Sequence, residues 1–240
     1  MTFMSTLQIP GNEENLFIPA IIGFIGALVG AIVSTRLMQR LIKNVIKPHK
    51  NKDLNGATEK ISFKSEGSVF IRFLNSILDG GKSGVDLGLA IIPGVLIIST
   101  MVMMLTFGPK DPSMGYQGLA YEGVTLLPDL AGHIWWLFEG LFGFKNPELI
   151  AFPVTSLGAV GAALSLVKAF IAKGIVDGNV IAVFTAMGMC WSGYLSTHTA
   201  MLDTLNYREL TSKALFSHTI GGIVAGCFAH YFYVLIMLFI

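Results

Sequence analysis

From Leu16 to Thr35 the chain carries no charged side chain. A helix needs about 20 such residues to cross the hydrocarbon core of a bilayer. In that solvent every backbone N–H and C=O must find a partner inside the protein, which leaves helices or a closed barrel. Apolar runs recur at Leu87–Phe107, Leu149–Val167, Ile181–Leu202 and Ala214–Ile240. Of the 240 residues, 53% are hydrophobic and 13% are charged, against about 25% charged in soluble domains. The expected fold is an all-α integral membrane protein with several transmembrane helices. Broken or re-entrant segments and an amphipathic interfacial helix are expected among them. Residues 1–68 read as an N-terminal transmembrane helix and a basic cytosolic loop, and residues 69–240 as the main membrane domain.

Several function classes lose their footing here. The formal net charge is +1, so no bulk attraction to nucleic acid is expected. Cys190 and Cys227 both sit in apolar segments and lack metal-ligand spacing. No GxSxG, HExxH or dinucleotide-binding GxGxxG pattern is present, so neither an enzyme nor a bound cofactor or metal is expected. Gly81-Lys82-Ser83 resembles the end of a phosphate-binding loop, but Ser76 stands where its first glycine is required.

Charge placement suggests a topology. The first residues hold Glu13 and Glu14 but no Lys or Arg, unlike the positive start of a cleaved signal peptide. Arg36, Arg40, Lys43, Lys47, Lys50 and Lys52 follow the first apolar run. By the positive-inside rule residues 36–82 are cytoplasmic and the N-terminus is outside, in a multi-pass protein of the cell inner membrane. The same cluster suits anionic lipid headgroups. Gly26 and Gly30 form a GxxxG pair, which favours close helix contact. Val69–Leu89 reads as an amphipathic interfacial helix interrupted at Gly80–Gly84. Leu87–Phe107 then spans outward, with Pro93 near its start. Residues 108–128 read as an external loop. Asp129–Phe144, rich in aromatics but holding His133 and Glu139, reads as a short interfacial or half-inserted helix. Leu149–Val167 is expected to break near Pro153 and Thr155–Gly161 and to reach the cytoplasm at Lys168 and Lys173. Val180–Leu202 is expected to enter and return as a hairpin, with a plain span as the alternative. Ala214–Ile240 is the last span, and its His218 and His230 read as packed, hydrogen-bonded residues.

The polar content of two apolar stretches is the strongest functional signal. Ser192, Ser196, Thr197, His198 and Thr199 crowd the middle of Ile181–Asp203, and Phe152–Leu166 is similarly rich in small and hydroxyl residues. Such groups are costly against lipid and suit a polar cavity. The two stretches are expected to face one another around a solute.

Asn75–Gly108, with its amphipathic lead-in, small-residue turn and Ile91-Ile92-Pro93 step, resembles the opening of the nucleoside-recognition or Gate membrane domain. That domain occurs in spore-maturation membrane proteins, ferrous-iron transporters and concentrative nucleoside transporters. Asn146–Phe152 is similar to the Asn-Glu-Phe-Val-Ala-Tyr run of the nucleoside transporters, with Pro147 inserted. Ile181–Leu202 resembles their second re-entrant hairpin, and Ser156–Gly161 resembles a Ser/Gly pattern of the spore-maturation proteins. The resemblance covers residues 70–240. It implies transport of a small polar solute, such as a nucleoside, by a half-length unit that pairs with a second copy or a membrane subunit. On this reading Asn146, Glu148, Thr155, Ser156 and Gly158 form one side of the site, and Ser192, Ser196, Thr197, His198 and Thr199 the other. Glu148, His198 and Asp203 are the candidates for ion coupling. The competing reading is a non-transporting scaffold or regulatory subunit that binds a partner through the basic region Arg36–Lys82.

Overall fold

The computed structural model describes residues 1–9, 15–43, 67–119 and 122–239. The cytosolic loop expected over Lys47–Lys60 lies outside the described residues, which contain helices and no β-strand. The helices are α1 (Thr2–Ser5), α2 (Phe17–Ile42), α3 (Val69–Thr106), α4 (Leu126–Gly132), α5 (Trp135–Phe142), α6 (Ala151–Gly158), α7 (Val160–Ala172), α8 (Gly178–Trp191), α9 (Tyr194–Thr204) and α10 (Thr211–Met237). Single 3-10 turns precede α6 (Pro147–Ile150) and α10 (Arg208–Leu210). Four stretches are long and apolar enough to cross a membrane: α2, the first part of α3, α8 with α9, and α10.

The core forms where α2, α8 and α10 meet. Small residues on α2 let the three backbones approach closely. A β-carbon at Gly23 would lie 2.4 Å from the Ala182 carbonyl oxygen of α8. One at Gly26 would meet the Ala225 carbonyl of α10 at 2.8 Å, and one at Gly30 the Gly221 carbonyl at 2.4 Å. The expected close contact at the GxxxG pair is therefore present. The order of these contacts makes α2 and α8 parallel and α10 antiparallel to both. Arg36, Arg40, Arg208 and Lys213 consequently share one end of the molecule, the basic end. The starts of α2 and α8 and the end of α10 share the other.

This arrangement corrects two expectations. With Arg36 at the basic end, the Lys168–Asp177 connection cannot also lie there, because α8 starts beside the start of α2. The hairpin is displaced as well. At the end of α8, α9 does not fold back but packs on α3, α6 and α10. The segment that doubles back is α6–α7. Phe152 of α6 and Phe170 of α7 both meet Phe184 of α8, with ring centroids 4.0 and 6.2 Å away. An ion pair between Lys173 and Glu148 joins the two ends of the hairpin.

The third correction concerns α3. Gly80–Gly84 do not interrupt it, and the helix runs unbroken for 38 residues from Val69 to Thr106. Glycine weakens a helix by about 1 kcal/mol per residue but does not forbid it. At about 1.5 Å per residue α3 is about 57 Å long, well beyond the roughly 30 Å of a bilayer core. Only its C-terminal part is packed, with Gly94 close against Ala200 of α9. Phe70, Phe73, Ile77, Leu78 and Val85 are exposed.

Beyond α3, residues 108–119 are gathered around Glu122. This carboxylate is 5% exposed and accepts from the backbone N–H groups of Lys110 (3.2 Å), Gln117 (2.9 Å) and Leu119 (2.8 Å). The Leu119 bond foremost, with those of Lys110 and Gln117, holds its pKa below the ordinary glutamate value of 4.5, against the opposing effect of desolvation. A short α4 and α5 follow, separated at His133-Ile134, where His133 Nδ1 lies 2.8 Å from the Asp129 carbonyl.

Both the packing and the Glu122 anchor are open to test. Gly30→Val should lower the thermal midpoint in detergent, since overpacking of this kind costs about 1–3 kcal/mol. Gly80→Ala, where a β-carbon meets nothing within 4 Å, should leave the midpoint unchanged or raise it. The Glu122 anchor should hold above pH 4.5 and fail as pH falls through its lowered pKa. At neutral pH Glu122→Gln should then speed tryptic cleavage after Lys110, and equal cleavage rates would contradict the anchor.

Candidate functional site

The backbone changes course at two places inside the apolar body, and the two places touch. Between α6 and α7, Ala159 adopts an extended conformation (φ −156°, ψ 103°). Between α8 and α9, Ser192 and Gly193 are both left-handed, with φ of 40° and 78°. Gly193 takes this conformation without strain, whereas Ser192 pays for its β-carbon. In a continuous helix the Gly193 N–H would be given to Met189. Here it crosses to the Ser156 carbonyl at the end of α6, 2.8 Å away. Ser196 Oγ reaches the Gly158 carbonyl at 3.0 Å and the Gly193 carbonyl at 2.8 Å. A β-carbon at Gly193 would stand 2.9 Å from the Gly158 oxygen, so only glycine lets the two segments come this close.

The two polar stretches thus meet, but their hydroxyls are largely occupied by backbone. Ser156 Oγ donates to the Pro153 carbonyl (2.8 Å), Thr197 Oγ1 to Gly193 (3.2 Å) and Thr199 Oγ1 to Leu195 (2.6 Å). Thr155 is different. It is fully buried on the face of α6 shared by Phe152 and Gly158, and its hydroxyl has no hydrogen-bond partner. Among the described residues it is the only buried side-chain polar atom in this state.

Other candidates lie elsewhere. Asn146 caps the 3-10 turn, accepting from Glu148 N–H at 2.9 Å. Glu148 is half-exposed in its ion pair with Lys173, at the base of the hairpin and not at its tip. Asp203 pairs with Arg208 at the basic end. The structure therefore brings Ser156 and Gly158 together with Gly193 and Ser196, with Thr155 and Ser192 next to them in sequence, and leaves Asn146, Glu148 and Asp203 outside that group.

His198 belongs to a neighbouring cluster that the sequence pattern did not assemble. Its ring meets that of His218 from α10 edge-on, with centroids 4.6 Å apart, and His218 stacks on Tyr194 at 4.9 Å. Tyr194 Oη is hydrogen-bonded to Thr219 Oγ1. His218 Nε2 lies 2.6 Å from the carbonyl of Cys190, in the last turn of α8. The helix break strips that carbonyl of its usual i+4 partner, and His218 replaces it. The Trp191 indole N–H donates to the His218 carbonyl at 3.3 Å. Both histidines line a cavity of ≈ 250 Å³ with Ser34, Thr35, Met38, Gln39, Ala214 and Ser217. His218 is 28 residues from Cys190, and no local periodicity links them.

At the opposite end, Asn179 Nδ2 donates to the Phe142 carbonyl (2.9 Å) and its Oδ1 lies 2.8 Å from His230 Nδ1. Asn179 and His230 border a cavity of ≈ 360 Å³ that is also lined by the exposed Lys145–Asp177 ion pair. Both His218 and His230 are thus packed and hydrogen-bonded. Among the described residues no three His, Cys, Asp or Glu side chains gather as a metal site.

The contact between the two breaks is testable by stability. Gly193→Ala adds a strained left-handed residue, costing about 1–2 kcal/mol, and a clash with Gly158, so its thermal midpoint should fall. Ser192→Gly should match or exceed the parent. A Gly193→Ala protein as stable as the parent would contradict the close approach.

Comparison of the chain with protein-family models, curated proteins and solved structures gives no match.

Proposed function

We propose that this chain is the membrane-embedded half of a solute transporter, with its site at the junction of the α6–α7 tip and the α8–α9 break. The supporting observation is the Gly193–Ser156 bond. It joins two interrupted helices inside an apolar body, where irregular backbone belongs beside a polar cavity. Thr155, Ser156, Gly158, Ser192 and Ser196 supply the contacts on this reading, and the unpaired Thr155 hydroxyl is the group available to a solute. Asn146 and Glu148 then act at the hairpin base, Thr197, His198 and Thr199 along α9, and Glu148, His198 and Asp203 remain the ion-coupling candidates. A nucleoside is the solute class indicated by the resemblance of residues 70–240 to the Gate domain. The basic end faces the cytoplasm of a cell inner membrane by the positive-inside rule, which sets both the α2 start and the α10 end outside. A second copy or a paired membrane subunit completes the site from its other side.

The exposed first half of α3 favours a second reading, a scaffold that holds a partner along this helix. Uptake separates the two. Proteoliposomes holding the purified chain should accumulate labelled nucleoside under a sodium or proton gradient. Thr155→Val with Ser196→Ala should cut that uptake at least ~10-fold, the effect of losing about 1.4 kcal/mol of solute binding. Uptake unchanged in the double variant would reject the junction as the site, and no uptake with a stably co-purifying partner would favour the scaffold.

A further inference from the structure

We propose that His198 and His218 form a one-proton binding site that fastens the α8–α9 break to α10, and that the coupling ion is the proton. The second half of this statement rests on the transport reading; the first does not.

A carbonyl oxygen can only accept, so His218 Nε2, 2.6 Å from the Cys190 oxygen, carries a hydrogen. In the neutral ring Nδ1 is then a lone pair free to take a proton. Among the described residues the His198 ring makes no hydrogen bond, and it lies against His218 with centroids 4.6 Å apart. Two imidazolium charges at that separation repel strongly, so the pair takes one proton and not two. The cavity bordered by Ser34, Thr35, Gln39 and Ser217 gives that proton polar surroundings.

Few other groups compete for it. Facing the pair, α8 brings Cys190 and α9 brings Tyr194, while the cavity-lining residues of α2 do not titrate. On α3, which packs against α9 at Gly94, no residue between Asp86 and Lys110 titrates. None does on α6. Of the charged groups that follow, Asp203 and Arg208 are paired with each other, and Glu209 and Lys213 stand in the turn and first residues leading into α10.

The consequence for the break is direct. With the proton on His218, the bond to the Cys190 carbonyl becomes charge-assisted and roughly twice as strong. Proton binding therefore clamps the end of α8 to α10, and proton loss loosens the clamp beside the junction of the two interrupted helices.

Trp191 reports on the pair, because its indole N–H is bonded to the His218 carbonyl and an imidazolium quenches indole fluorescence more than a neutral imidazole. In a Trp135→Phe/Trp136→Phe background in lipid nanodiscs, fluorescence should show a single one-proton transition with pH. The transition should shift or vanish in His198→Gln and in His218→Gln, and stay unchanged in His230→Gln. His198→Ala guards against misfolding, since the His198 ring makes no hydrogen bond to lose among the described residues, and gel filtration checks each variant. A flat titration in the parent, or one that survives both pair variants, overturns the site. Intact titration without proton-driven uptake leaves the site standing and overturns the proton as the coupling ion, and the transport reading itself falls only if a sodium gradient drives no uptake either.

Discussion

A single hydrogen bond, from the Gly193 N–H to the Ser156 carbonyl, carries the central constraint of this fold. Interrupting a helix in apolar surroundings frees donors and acceptors, each costly to leave unpaired. Here two interruptions answer one another, the amide freed from one being taken by a carbonyl freed from the other. Ser196 extends the exchange to Gly158, and His218 takes the Cys190 carbonyl that remains on the far side. The position of α6, the sharp turn after Trp191 and the inward placement of two histidines follow from this mutual satisfaction.

Around the junction the molecule divides into a tightly packed part and a more loosely held one. The α2–α8–α10 body is bound by backbone approach at Gly23, Gly26 and Gly30, and dispersion at such short range replaces the hydrophobic drive that is missing between helices in lipid. The α6–α7 hairpin is held differently, by the Phe152–Phe184 stack, the tip contacts and an exposed ion pair. Exposed ion pairs contribute little, about 0–1 kcal/mol.

Much of this was legible in the sequence for identifiable reasons. Long uncharged runs announce membrane-crossing helices because the bilayer sets a length and punishes charge, and α2 and α10 lie close to where those runs fall. The GxxxG pair was legible because close approach demands missing side chains at fixed spacing. The encounter of the Thr155–Gly158 and Ser192–Ser196 segments could be anticipated, since both carry hydroxyls that lipid would reject. The hairpin could not be placed, because its evidence is the Glu148–Lys173 pair, a contact between residues 25 apart. Charge counting put Lys168 and Lys173 on the same side as Arg36, whereas the fold sets the two groups at opposite ends: a lysine marks the cytoplasmic side only on average, and here Lys173 serves a carboxylate. Gly80–Gly84 misled because glycine lowers helix stability without specifying an alternative. Glu122 gave no signal at all, since its three donors are backbone amides.

The glycines of α2 also limit how the molecule can rearrange. Gly23, Gly26 and Gly30 each accept a neighbouring backbone at a place where any other residue would intrude, so the helix sits in a notched track. A small axial slide would drive a bulky neighbour into a carbonyl. The next register that restores glycine opposite backbone lies about four residues away, or about 6 Å. Axial motion of α2 against α10 is thus all-or-nothing, and graded adjustments must fall to the hairpin and to α9.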